Sequence, residues 1–188
     1  MIKKIIIGIA VFFFVVVIIA VIAGGDKNTQ PQKVGETNTN PQSNTTINIP
    51  TTQQEKTYKV GDQVQLGKII LTVNKVETSE SGQYTKPAEG NQWVDLNITI
   101  QNTGNAQEYI TTLGQMFILD DADNQYQIAA TDKRIENAGS VGLDGAVLAG
   151  AKKTDWVGFE VPKTAKGLKF QYNASFFNNN NILVDLGM

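Results

Sequence analysis

The chain has 188 residues, room for one domain with appendages, and carries sixteen basic against eighteen acidic side chains. It contains no histidine and no cysteine. That excludes the usual zinc, haem, catalytic-triad and thiol chemistries, as well as disulfides and a lipid-modified cysteine.

The first element is an apolar run, Ile5–Ala23, interrupted only by Gly8. As a helix it would be roughly 29 Å long, close to the ~30 Å hydrocarbon core of a bilayer. Secretory signals have shorter apolar stretches, about 7–15 residues. Residues 1–25 are therefore expected to form a transmembrane anchor with the lipid bilayer as partner. The alternative is a signal cleaved at the small residues near Ala23, which would release a secreted protein. Lys3 and Lys4 precede the run, while Asp26 and Lys27 cancel beyond it. The positive-inside rule then places the N-terminus in the cytoplasm and the remainder outside the cell. That outer part holds all eighteen acids and fourteen of the bases. Its mildly acidic balance argues against nucleic acid as a partner.

Residues 26–57 are dominated by Asn, Thr, Gln, Pro and Ser. They offer too little apolar surface to offset the entropy of ordering, and a disordered linker is expected there.

From Tyr58 onward the apolar residues recur with period two. Val94, Leu96, Ile98 and Ile100 alternate with Trp93, Asp95, Asn97, Thr99 and Gln101. Val157, Phe159 and Val161 alternate with Trp156 and Glu160, and Leu168, Phe170 and Tyr172 with Lys169, Gln171 and Asn173. These patterns predict half-buried antiparallel strands. Further strands are predicted over Gln63–Leu66, Lys68–Val76, Gln115–Leu119, Gln125–Ala129, Ala146–Ala149 and Asn181–Leu186. Asp120–Asn124 reads as a hairpin turn, Asn102–Asn105 as the end of a strand, and Lys163–Gly167 as a connecting turn. Arg134–Ala138 is the one stretch expected to form a turn of helix. Eight or nine short strands at this spacing predict an all-β sandwich over residues 58–188.

The stretches Val60-Gly61-Asp62, Pro87–Ile100, Phe117–Tyr126, Val157–Pro162, Lys166–Tyr172 with Phe176-Phe177, and Val184-Asp185-Leu186 occur in an order that resembles a known family. It is a family of extracytoplasmic domains of unknown function from Gram-positive lipoproteins and anchored proteins. It falls in the immunoglobulin-like superfamily typified by a secreted mycobacterial immunoprotective antigen. The resemblance covers about two-thirds of the chain and implies an immunoglobulin-like antiparallel β-sandwich without known catalytic residues. Many relatives are tethered through a lipidated cysteine, which this chain lacks.

No catalytic, cofactor or metal site is expected. Asp120, Asp121 and Asp123 are the densest acidic group, and Asp121-x-Asp123-x-Gln125 offers a faint start to a calcium loop, without the glycine and distal glutamate. Trp93 and Trp156 are the candidate partner-binding residues, because alternation places both on the polar side of their strands, where exposed aromatics make a binding surface. The competing expectations are a sheet face covered by a loop or by the linker, or a bulge that swaps the register. Phe176 and Phe177 are expected in a packed end-loop. The functional expectation is a non-enzymatic, membrane-anchored extracellular module that binds a cell-envelope polymer or envelope protein. The alternatives are a structural spacer or envelope-stress protein, and a small-ligand or weak calcium binder.

Overall fold

The computed structural model describes residues 30–35, 56–136, 142–174 and 180–188. The expected anchor, most of the expected linker and the Phe176-Phe177 pair lie outside the described residues. No helix among the described residues is long and apolar enough to cross a membrane.

Two sheets pack face to face. The first contains, in spatial order, β1 (Gln32–Lys33), β3 (Val64–Leu66), β4 (Ile69–Ser79), β5 (Asn91–Asn102), β11 (Lys152–Pro162) and β9 (Ile128–Ala129). The second contains β2 (Thr57–Lys59), β13 (Asn181–Asp185), β12 (Lys169–Asn173), β7 (Met116–Leu119) and β8 (Gln125–Tyr126). A separate two-stranded ribbon joins β6 (Glu108–Ile110) to β10 (Gly145–Val147). Pairing among these strands is antiparallel except for β2, which runs parallel to β13.

The core follows from the period-two pattern. Val94, Leu96, Ile98 and Ile100 of β5 are buried, as are Val157, Phe159 and Val161 of β11. Opposite them stand Phe170 and Tyr172 of β12, Met116 and Ile118 of β7, and Ile182 and Val184 of β13. Each large apolar side chain withdrawn in this way contributes about 1.5–3 kcal/mol. Phe159 and Phe170 meet edge-on across the sheets, 6.4 Å between centroids.

Several elements differ from expectation. The predicted strand Gln125–Ala129 is two strands, one in each sheet, so the chain crosses the sandwich at Gln127. β4 runs three residues further than predicted, to Ser79, because a bulge at Asn74 shifts its register against β5 and returns Val76 to the inner side. The helical turn, α1 (Asp132–Glu136), begins two residues early. Thr131 starts it, its carbonyl accepting from the Ile135 amide at 3.1 Å.

Residues 30–35, a part of the expected linker 26–57, depart from the expectation of disorder. Residues 30–35 instead dock on the first sheet. Gln32 and Lys33 pair with Gln65 and Val64, and the Val34 amide donates to the Gln63 carbonyl at 2.8 Å. Lys33 forms an ion pair with Asp62 at 2.7 Å. The buried Tyr58 of β2 donates its hydroxyl to the Pro31 carbonyl at 2.5 Å. Composition missed this because the order is imposed by the sheet edge and not by local propensity.

Candidate partner-binding surface

The outward face of the long sheet carries both candidate tryptophans. Glu160 stands opposite Trp93, and Asn97 opposite Trp156. Their surroundings are unlike. At the Trp93 end, the connection between β4 and β5 is fastened over the face. The Ala88 amide donates to Glu160 at 2.9 Å, and the Asn91 side-chain amide at 2.8 Å. Asp132 of α1 receives the amides of Gln83, Tyr84 and Thr85 and the Thr85 hydroxyl, the last at 2.8 Å. Burial opposes ionisation of Asp132, but these donors together hold its pKa below the ordinary carboxylate value. Trp93 is buried under this cover, only 4% exposed. Its indole N–H has no hydrogen-bond partner among the described residues. The expectation that Trp93 faces a partner is therefore corrected.

Beside it, Asp95 is also buried and accepts the Thr131 hydroxyl. Burial raises the Asp95 pKa, with the Thr131 hydrogen bond pulling the other way. Gly158, opposite Asp95 on β11, makes this approach possible: a Cβ there would collide with the Thr131 side chain.

Trp156 is half-buried. The Lys133 ammonium lies 5.2 Å from its ring centroid, and Lys133 and Lys75 both pair with Glu77, at 3.2 and 2.6 Å. Further along the face the groups bond one another: Asn74 donates to Asn97 and Thr99 at 2.9 Å, and Thr99 meets Thr154 at 2.8 Å. The side chain of Asn97 is thus occupied within the sheet.

The acidic turn is self-contained. Asp120 is buried, and its carboxylate accepts the amides of Ala122 and Asn124, the Asn124 side chain and the Tyr126 hydroxyl, all at 2.8–2.9 Å. Led by the Asn124 side chain, these donors lower its pKa to about 2. Asp121 and Asp123 are exposed. No group of three or more potential metal ligands converges among the described residues.

Large exposed apolar side chains among the described residues include Tyr84, Leu113 and two at the ribbon. Tyr109 is 70% exposed and Leu148 62%. Tyr109 pairs with Ala146 in the ribbon, and Leu148 follows directly on the end of β10. Ala146 and Leu148 line a groove of about 420 Å³ with Val147, Ala151, Lys152 and Lys153. Tyr109 borders a smaller one of about 220 Å³ that reaches Leu66 and Tyr172. The ribbon is held to the sandwich by Asn102, whose buried side chain donates to the Ala106 and Val147 carbonyls at 2.7 and 2.9 Å. Sequence reasoning found one strand of the ribbon, predicted over Ala146–Ala149 and observed over Gly145–Val147, and missed its partner β6, a three-residue strand with too little alternation to read.

The sequence pattern of the domain of unknown function DUF4352 matches residues 58–182. No curated protein matches the sequence. Among solved structures, the chain is similar to the yjhA protein of Bacillus subtilis, with 22% identity and a TM-score of 0.55, covering 69% of this chain and 99% of that one. It is also similar to ycdA of Bacillus subtilis, provisionally described as a lipoprotein, with 13% identity and a TM-score of 0.50, covering 71% of this chain and 38% of that one. A secreted protein of Mycobacterium tuberculosis, MPT63, aligns at 13% identity and a TM-score of 0.46, covering 69% of this chain and 96% of that one.

Proposed function

The chain belongs to the DUF4352 family of β-sandwich domains, and from that premise we propose that it is a membrane-anchored, extracytoplasmic, immunoglobulin-like module that binds an envelope or surface partner and performs no catalysis. The observation that carries the binding reading is the ribbon: two large apolar side chains, Tyr109 and Leu148, stand mostly in solvent, and Leu148 lines an apolar groove. Side chains in that state are stabilised by covering them, and a concave apolar floor with a lysine rim suits a protein partner. The extracytoplasmic setting is supported by the apolar run Ile5–Ala23 with its N-terminal lysines. A relative described as a lipoprotein is compatible with it.

The test places a photo-crosslinking amino acid at position 109, 148 or 156 of the full chain in envelope preparations. A discrete adduct from positions 109 and 148, with the position-109 adduct lost on Leu148→Ser, is the expected result. An adduct from position 156 alone would move the surface to the tryptophan face. No adduct at any position would favour the spacer reading, to which the burial of Trp93 already lends support.

A further inference from the structure

Residues 30–35 and residues 56–59 are fixed on the same sandwich, at the outer edges of different sheets. Tyr58 joins the two through its hydrogen bond to Pro31. Residues 36–55 are the chain between these two segments. Whatever its conformation, it adds nothing to the distance between the domain and a point upstream of residue 30 while residues 30–35 are docked.

We infer that docking of residues 30–35 on the β3 edge sets the length of the tether between the membrane and the domain. This rests on the anchor reading. With the segment docked, the tether runs from the end of the apolar run at Ala23 to Pro31, a reach of at most about 27 Å. With it released, the tether runs to Lys56, a reach of at most about 110 Å.

The attachment is built to be reversible. It comprises a two-residue strand, one flanking backbone bond, the half-exposed Lys33–Asp62 pair and the Tyr58 hydroxyl. Against these stands the entropy of ordering six residues, comparable in size with what such bonds contribute. No core side chain of the described sandwich comes from residues 30–35, so release leaves the core intact. The Lys33–Asp62 pair holds the Asp62 pKa low, and the edge is sensitive to ionic strength. The occupant of the β3 edge is this chain's own segment. A second copy's segment would have the same chemistry, and crosslinking separates the two.

The experiment uses the full chain in supported bilayers, with neutron reflectometry reading the height of the protein layer. The cysteine-free sequence allows the Gln32→Cys/Gln65→Cys pair, which are register partners, to lock the docked state. Lys33→Glu/Val34→Pro removes the ion pair and the amide donor. The expected result is an intrachain disulfide in the locked protein, wild type at the same height as the locked protein, and the release variant further out with an unchanged melting temperature. Wild type at the height of the release variant, or disulfides formed only between chains, overturns the proposal while leaving the anchor reading standing. A chain not retained by the bilayer overturns both, and the two failures are thereby distinguished.

Discussion

The Lys133 ammonium, carried by α1, stands over the ring of Trp156 on β11, 5.2 Å from its centroid. The contact joins a helical turn to the middle of the longest sheet and is reinforced by the Lys133–Glu77 ion pair. Such a cation contact is worth about 0.5–1 kcal/mol at a surface. Its position also shields one face of the indole from solvent.

That shielding gives an optical test. In a Trp93→Phe background, Trp156 is the sole tryptophan. Lys133→Ala is expected to increase acrylamide quenching of its fluorescence while lowering stability by no more than about 1 kcal/mol. Unchanged quenching would show that the lysine does not cover the ring in solution.

Asp120 gives a prediction with a defined pH window. Its pKa is lowered to about 2 in the fold, chiefly by the Asn124 side chain, against about 3.9 for an unfolded aspartate. A lowered carboxylate contributes stability that is fully present above the unfolded value and is lost as pH falls through the folded one. Thermal melts should therefore show Asp120→Asn less stable than wild type at pH 6. The gap should narrow between about pH 4 and pH 2. A gap that stays constant across that window would mean that the turn is held by geometry alone.

Gly158 and Asp95 form the third test. Gly158→Ala pushes a methyl into Thr131 and towards Asp95, and an overpacked site of this kind costs about 1–3 kcal/mol, read in a urea titration. Asp95→Asn keeps an acceptor for the Thr131 hydroxyl and removes a charge that burial disfavours. Because the Asp95 pKa is raised in the fold, its ionised form opposes folding at neutral pH, and protonation relieves that cost as pH falls. Asp95→Asn is thus expected to be at least as stable as wild type at pH 7, with the advantage disappearing in acid.

The sandwich core was legible because β5, β11 and β12 alternate without interruption, and a buried face of period two writes itself into the residue types. The Asp120 hairpin was legible from turn chemistry. The fate of the tryptophans was not. Alternation assigns Trp93 and Trp156 equally to the outer face, and what separates them is a long-range cover fastened by Asp132 and Glu160 through main-chain amides. Backbone donors leave no trace in residue identity. The same holds for β1, where a polar segment is ordered by a neighbour's edge and by a tyrosine twenty-seven positions away.

The outermost strand on each side of each sheet, β1, β9, β2 and β8, is only two or three residues long. Along β4, where the neighbouring strand stops at Leu71, the bulge at Asn74 and the charges of Lys75 and Glu77 follow. Few consecutive main-chain groups are thus offered in register to a stranger's backbone. A molecule displayed in many copies on one membrane would meet its neighbours constantly in two dimensions, and such abbreviated, charged margins let it be crowded without polymerising.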